Sequence, residues 1–161
     1  MSCAAKILGR DALLASLAPR RSNGASVALA NGLFDLLHVG HLRYLQGAAA
    51  EADLLVVAIN SDRSARELKG PSRPLIPEDE RAELVAGFGC VDYVTVFDEL
   101  DARELLRAVR PDVHCKGSDY TPDTVPEADL AAEMGWRIMI VGDAKQHATS
   151  SLIERIKKPR T

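Results

Sequence analysis

The sequence predicts an α/β fold in which a parallel sheet of five strands has helices on both faces. Short apolar runs alternate along the chain with longer stretches that carry helical patterns. The apolar runs are continuous, which is typical of parallel strands that are buried on both faces. Right-handed crossovers between such strands produce a doubly wound, Rossmann-like sheet. The predicted strands cover 26–30, 54–60, 91–97, 113–116 and 137–141, and the predicted helices cover 39–51, 78–87, 101–109, 126–134 and 150–158.

The chain of 161 residues is expected to form a single domain. Residues 1–25 precede the alternating pattern and are interpreted as a leader segment made of a helix and a loop. Asp11 is a suitable N-cap for a short helix over 11–17, and the polar cluster 20–24 predicts a loop. Residues 26–161 contain all the predicted strands and form the main domain.

The composition argues against several classes of protein. The net charge of −3 and the pI near 5.8 do not fit a nucleic-acid-binding module. No apolar run reaches the roughly 18 residues that a membrane span needs. The three cysteines, Cys3, Cys90 and Cys115, have no CxxC spacing and are expected to be free thiols in a reducing compartment. We therefore expect a cytoplasmic protein whose partners include neither a nucleic acid nor a membrane.

Two histidines and two glycines follow the first predicted strand. Gly32 permits a sharp turn after the strand. His38 and His41 lie three residues apart at the start of the next helix, so their side chains share one face. Gly40 lets a ligand approach the helix N-terminus, whose free amides favour anions. The pattern predicts an anion site, and two ordinary surface histidines are the alternative.

A zinc site is a further alternative for these histidines. A structural zinc ion needs four ligands. His114 and Cys115 are the only nearby candidates by sequence, and adjacent residues of a strand point to opposite sides. No protein-held metal is therefore predicted.

The segment 69–74 is a basic loop that contains one glycine and two prolines. With Lys69 and Arg73, it is either a solvated loop or a flexible clamp on phosphates. Arg81 lies in the first turn of the following helix. Its side chain either reaches into the cleft or pairs with a carboxylate.

Two more groups of polar residues follow the fourth and fifth predicted strands. Lys116 ends the fourth strand and Gly117 follows it, which places an ammonium where a phosphate would bind. Asp119 and Tyr120 are candidates for contacts with a base or with sugar hydroxyls, although Gly-Ser-Asp also makes an ordinary turn. Three hydroxyl residues in 147–151 open the last helix. Capping needs only one of them, so they predict a second phosphate site together with the helix amides.

These motifs resemble those of a known enzyme superfamily. The segment 31–41, NGLFDLLHVGH, resembles the HxGH signature of the cytidylyltransferase-like nucleotidylyltransferases. The segment 148–153, ATSSLI, is similar to their second signature, usually written ISTTxI. The resemblance spans roughly 26–157 and identifies the main domain as a nucleotidylyltransferase domain. It implies an enzyme that joins the α-phosphate of a nucleotide to a small phosphorylated substrate and releases pyrophosphate.

Within the superfamily, the sequence resembles the ADP-heptose synthase branch, which adenylylates D-glycero-β-D-manno-heptose 1-phosphate. Leu33 and Ser118 depart from the cysteine and glycine that are frequent there. In many bacteria this domain is fused to a sugar kinase, and the chain resembles the stand-alone form. The supporting segments are 43–45, 60–62, 68–70, 73–74, 78–81 and 116–120.

Two other functions remain as alternatives. The first is a cytidylyltransferase that uses CTP and glycerol 3-phosphate or another polyol phosphate. The segment 143–146 lacks the arginine that such enzymes carry before the second signature, which favours ATP over CTP. The second is a non-catalytic nucleotide-binding module, which the presence of His38, His41 and Lys116 disfavours.

The motifs and the resemblance together imply a site for two anionic substrates. The partners are ATP and a sugar 1-phosphate, Mg²⁺ arrives with the nucleotide as the cofactor, and a homodimer is expected. The catalytic residues are His38, His41 and Lys116. The nucleotide-binding residues are Gly32, Leu33, Phe34, Gly40, Arg73, Gly117, Asp119, Ala148, Thr149, Ser150 and Ser151. The substrate-binding residues are Asp35, Lys69, Arg81 and Tyr120.

Overall fold

A computed structural model describes residues 2–143 and 149–157 of the chain. Its strands are β1 (Val27–Gly32), β2 (Leu54–Asn60), β3 (Tyr93–Phe97), β4 (Val113–Gly117) and β5 (Arg137–Val141). They form one sheet in the order β3-β2-β1-β4-β5, and each neighbouring pair is parallel. The predicted parallel sheet of five strands is confirmed.

Helices cover both faces of this sheet. They are α1 (Cys3–Lys6), α2 (Arg10–Ser22), α3 (Val39–Ala49), α4 (Asp62–Lys69), α5 (Glu78–Ala86), α6 (Arg103–Val109), α7 (Ala128–Met134) and α8 (Thr149–Lys157), with a 3₁₀ helix at Pro122–Thr124. Successive residues of β1 alternate between two apolar clusters, because neighbouring side chains of a strand point to opposite faces. One cluster contains buried residues of α2, α6 and α7, and the other contains those of α3 and α5. The doubly wound arrangement is therefore confirmed.

Helix α2 differs from the predicted short helix at both of its ends. Gly9, not Asp11, occupies the N-cap, and the helix continues through Ser22 into the predicted loop. Leu13 and Leu17 are buried in one apolar cluster. Packing of this face on the sheet stabilises a longer helix than the local polar pattern predicts.

Helix α4 is an addition to the elements that the sequence predicts. Its segment is mostly charged and only eight residues long, so it contains few of the apolar residues by which a helix is recognised. The side chain of Ser61 accepts a hydrogen bond from the amide of Ser64 and caps its first turn. The helix carries Lys69 at its C-terminal end.

The strand order places the topological switch point of the sheet between β1 and β4. Strand β1 pairs with β2 on one side and with β4 on the other. The chain continues from β1 to β2 and β3 on the first side, and then crosses to β4 and β5 on the second side. Loops after β1 and β4 diverge at such a point and leave a crevice at the carboxyl ends of the strands. Among the described helices, none is long and apolar enough to cross a membrane.

Candidate active site

A cleft of about 680 Å³ lies at the carboxyl ends of β1, β2 and β4. The loops after these strands, the start of α3 and the start of α8 form its walls. Most of the residues that the sequence predicts for the site meet there, although they come from separate parts of the chain. The predicted residues that line it are Gly32, Leu33, Phe34, Asp35, His38, Gly40, His41, Lys69, Arg73, Lys116, Gly117, Asp119, Tyr120 and Thr149.

The turn after β1 brings the first signature into the cleft. Phe34 has a φ of 51°, in the left-handed region, which reverses the chain directly after the strand. The ring of Phe34 is buried, and its centroid lies 5.4 Å from that of His41. A side chain in place of Gly32 would begin 3.1 Å from the Phe34 ring. Gly32 therefore leaves room for the ring that supports His41.

His38 and His41 lie at the start of helix α3, and the centroids of their rings are 4.0 Å apart. Burial, and then the proximity of His38, lowers the pKa of His41 to about 4. The ring of His41 is therefore neutral near pH 7. The backbone N–H of His38 donates to Nδ1 of His41 at 3.3 Å. Since Nδ1 is an acceptor, the hydrogen of the neutral ring is on Nε2, which becomes a hydrogen-bond donor.

Lys116 lies near the end of β4, and its side chain is only 7% exposed. Its Nζ lies 3.3 Å from Oδ1 of Asn31 and 3.5 Å from Oε2 of Glu127. It also lies 4.8 Å from the centroid of the Tyr120 ring, at the distance of a cation–π contact. The ammonium is thus enclosed on three sides and remains at the wall of the cleft.

Asn31 joins this lysine to a second buried group. Nε2 of His114 lies 3.0 Å from the same Oδ1 that accepts from Lys116. Burial, and then the charge of Lys116, lowers the pKa of His114 to about 3, so the imidazole is neutral. His114 therefore donates from Nε2 and fixes the orientation of the Asn31 amide. Asn31 and Glu127 are absent from the site that the sequence predicts.

Asn31 and Glu127, which the predicted site lacks, differ in whether the local sequence contains a signal for them. Asn31 directly precedes Gly32 in the first signature, and its place at the end of a strand is a usable signal. Glu127 follows Pro126 at the start of a predicted helix, where an acidic residue has an ordinary explanation in the helix dipole. No local pattern distinguishes it.

Asp35 is used to hold the basic loop against the first signature. Its side chain is 1% exposed and pairs with Nε of Arg73 at 2.5 Å. It also accepts from the amides of Leu75 and Ile76 at 2.8 and 3.0 Å. These contacts fix Arg73 at the edge of the cleft. That Asp35 itself contacts the substrate stays a prediction.

Arg81 is placed away from the lining of the cleft. Its side chain is fully buried and donates to the carbonyls of Leu33, Asn60 and Ile76 at 2.6, 2.9 and 2.9 Å. It also pairs with Asp62 at 2.7 Å. Of the two alternatives for Arg81, pairing with a carboxylate is the one observed, and a substrate contact gains no support from this position. The guanidinium instead ties the loop after β1 to the end of β2.

The second signature is described only in part. Residues 144–148, which include His147 and Ala148, lie outside the described residues. Thr149 begins α8, and its hydroxyl donates to the carbonyl of Leu36 at 3.1 Å. This contact places the start of α8 beside the first signature. Ser150 and Ser151 follow in the same helix, and Ser151 is exposed. Their contacts with phosphates remain predictions.

Among residues 2–143 and 149–157, no group of three or more histidine, cysteine or acidic residues could hold a metal ion. The Nε2 of His114, one of the candidates for a zinc ligand, forms a hydrogen bond with the side chain of Asn31. The donors that Mg²⁺ prefers are oxygens, and it usually keeps several waters and phosphate oxygens as ligands. The described residues are compatible with a metal that is held mainly by a nucleotide.

Comparison with known proteins assigns the chain to a family. A model of the cytidylyltransferase-like family matches residues 29–156. The chain belongs to this family, and the predicted membership in the HxGH nucleotidylyltransferases is confirmed. Its fold and its signatures are therefore those of a nucleotidyltransferase.

Individual relatives narrow the comparison within the family. The chain is 50% identical to the bifunctional protein HldE of Syntrophotalea carbinolica and 44% identical to that of Geobacter sulfurreducens, over 94% and 96% of its length. It spans 31% of the length of each of these proteins. A lipopolysaccharide core biosynthesis protein from Thermoplasma volcanium has a similar structure, with a TM-score of 0.64 and 27% identity. The match covers 74% of this chain and 99% of that one.

Proposed function

We propose that the protein transfers AMP from ATP to D-glycero-β-D-manno-heptose 1-phosphate, which gives ADP-heptose and pyrophosphate. The observation that carries this proposal is the meeting of His38, His41 and Lys116 in one cleft of a nucleotidyltransferase fold. The HldE relatives, and the neighbour named for lipopolysaccharide core biosynthesis, support a heptose phosphate as the acceptor. The proposed reaction consumes ATP, and the three cysteines are free thiols, so we propose the cytoplasm as the site of the reaction.

The chemistry requires little from a general base. The second pKa of a phosphate monoester is about 6, so the sugar phosphate is already an anion near neutral pH. One of its oxygens attacks the α-phosphorus of ATP and forms a new P–O bond. The bond from the α-phosphorus to the bridging oxygen of the β-phosphate breaks, and pyrophosphate leaves with the electron pair. Catalysis then depends on placing two anions together and on stabilising the charge that develops.

The described side chains have the properties that this reaction needs. The Nε2–H of neutral His41 donates to the α-phosphate as charge develops, and His38 contacts phosphate oxygens beside it. The ammonium of Lys116 lies between the nucleotide and the acceptor. Thr149 and Ser150, with the amides at the start of α8, bind the β- and γ-phosphates. For Thr149 this requires that its hydroxyl exchange the carbonyl of Leu36 for a phosphate oxygen. Lys69 or Arg73 closes over the bound substrates.

Mg²⁺ is proposed as the companion of the nucleotide, and it neutralises charge on the phosphates. Among the described residues, the carboxylates that face the cleft include Asp101 and Asp119. They do not form a ready-made site, which is consistent with a metal that phosphates and water hold. A homodimer is expected from the resemblance and is tested by sedimentation of the purified protein.

Release of pyrophosphate across a panel of substrates tests the function. The panel combines ATP and CTP with heptose 1-phosphate, heptose 7-phosphate and glycerol 3-phosphate. Turnover with ATP and heptose 1-phosphate, well above all other pairs, is the expected result. A preference for CTP with glycerol 3-phosphate would replace the proposal by the cytidylyltransferase alternative. Nucleotide binding without turnover on any pair would indicate a non-catalytic module.

A further inference from the structure

Glu127 belongs to none of the signatures, yet its carboxylate lines the cleft. The residue is the N-cap of α7, and its side chain is only 3% exposed. Oε2 has no hydrogen-bond partner and lies 3.5 Å from Nζ of Lys116, its ion-pair partner. A buried carboxylate is costly unless it is paired. Its position beside a candidate catalytic lysine therefore calls for a function.

We propose that Glu127 is a positioning residue, which holds the ammonium of Lys116 where it meets the phosphates of the two substrates. This inference rests on the proposed function, because that function makes Lys116 catalytic. Glu127 itself contacts no reacting atom in this scheme and acts through the lysine.

The geometry around Lys116 supports a positioning role. A lysine side chain is a flexible stem that carries three N–H donors, so its ammonium needs partners to stay in one place. Here Asn31 contributes a neutral acceptor and Tyr120 an aromatic face, whereas Glu127 contributes the charge. The Glu127 oxygen is farther from Nζ than the Asn31 oxygen, at 3.5 against 3.3 Å. Because the ammonium has three N–H donors, these contacts leave donor capacity for a phosphate.

The contacts also tie the lysine to rigid parts of the fold. His114 fixes Asn31 at the end of β1, Lys116 extends from β4, and Glu127 occupies the N-cap position of α7. The ammonium is thus held between two strands and a helix. Precise placement matters for catalysis, since a misplacement of about 1 Å can lower a rate roughly 100-fold.

The negative charge of Glu127 distinguishes a positioning role from a role in attracting anionic substrates. A carboxylate beside the ammonium opposes the binding of an anion, so attraction alone would be stronger without Glu127. Glu127→Gln removes the negative charge and keeps the shape of the side chain. We expect it to bind inorganic tripolyphosphate as tightly as the wild type or more tightly, and yet to turn over more slowly.

The kinetic test uses Glu127→Gln, Lys116→Met and the double variant, with Glu133→Gln on the exposed side of α7 as the matched control. Glu127→Gln is expected to lower kcat about 10-fold or more and to change the KM for ATP by less than about threefold. In the Lys116→Met background it should have no further effect, because its role depends on the lysine. Multiplicative losses, or a raised KM for the sugar phosphate at unchanged kcat, would show direct action on a substrate and overturn the proposal.

Urea unfolding of the same four variants tests the pair without any need for activity. Lys116→Met and Glu127→Gln should each lower the midpoint, since each leaves a buried partner uncompensated. The double variant should be no less stable than either single variant. Additive losses would mean that no pair exists and would overturn the inference. If the wild type turns over no substrate pair, the proposed function fails, and this cycle still decides whether Glu127 holds Lys116.

Discussion

Replacement of His41 by alanine is expected to lower turnover strongly and to change ATP affinity much less. His41 is neutral because its pKa is lowered to about 4, and its Nδ1 accepts the N–H of His38. The remaining nitrogen is a preorganised donor that needs no proton transfer to act. Loss of one such donor to the developing charge typically costs about 10²–10³ in kcat, or about 3–4 kcal/mol. His41→Asn keeps an N–H on a shorter side chain and should lie between alanine and the wild type.

The assay is steady-state release of pyrophosphate, with ATP binding measured separately by calorimetry. Glu104→Gln, on the exposed part of α6, is the control and should match the wild type. Near-wild-type kcat in His41→Ala would refute the assigned role. A loss of ATP affinity with kcat unchanged would instead show that His41 binds the ground state and the transition state equally.

The pH dependence gives an independent check on the same residue. A group with a pKa of about 4 stays neutral from about pH 6 to about pH 9, so kcat should show no inflection from His41 in this range. Titration of the ring followed by NMR should have its midpoint far below 6.5, the usual value for histidine. A midpoint near 6.5 would mean that the ring is exposed to solvent and charged for part of the working range.

Three further predictions concern stability and the metal. Arg81→Met should lower the free energy of unfolding in urea by about 3–5 kcal/mol, because it leaves Asp62 and three backbone carbonyls without their hydrogen-bond donor. The control Arg107→Met on the surface should change it by no more than about 0.5 kcal/mol. Similar losses of stability in the two variants would contradict a structural role for the buried Arg81. Because the folded pKa of His114 is lowered to about 3, the unfolded chain binds the extra proton first, and stability should fall as the pH drops from about 6.5 towards 3. His114→Gln should reduce that slope by up to about 1.4 kcal/mol per pH unit, and an unchanged slope would assign the loss to other groups. EDTA should abolish turnover and leave the circular dichroism melting curve unchanged; cooperative unfolding by EDTA alone would point to a structural metal.

The sheet could be predicted because its strands are buried on both sides. Burial of both faces makes β2 apolar from Leu54 to Ile59, and such a run is visible in the sequence without knowledge of its neighbours. The parallel topology then implies that polar residues after separate strands meet at one edge. The meeting of His41 and Lys116 in one cleft follows from this argument.

The partners of buried polar groups could not be predicted in the same way. Arg81 is 48 residues from Leu33, and Lys116 is 85 residues from Asn31. Such pairs depend on how the loops pack in three dimensions, and the local hydrophobic pattern of the sequence contains no information about this packing. A carboxylate at a helix start, such as Glu127, has the same local sequence pattern whether it faces solvent or a lysine. Only the packed structure separates residues that line the cleft from those that support it.

The charges along the cleft support the proposal that the nucleotide arrives with a metal. Among the described residues, the cations Lys69, Arg73 and Lys116 line it, together with the carboxylates of Asp35, Asp101, Asp119, Glu127 and Asp143. Asp35 already pairs with Arg73 and Glu127 with Lys116, and His41 is neutral. The positive charge of these described side chains therefore serves mainly to orient phosphates and is too small to neutralise a triphosphate and a sugar phosphate together. We propose that a divalent cation on the nucleotide supplies part of the missing charge, which also weakens the repulsion between the lining carboxylates and the nucleotide.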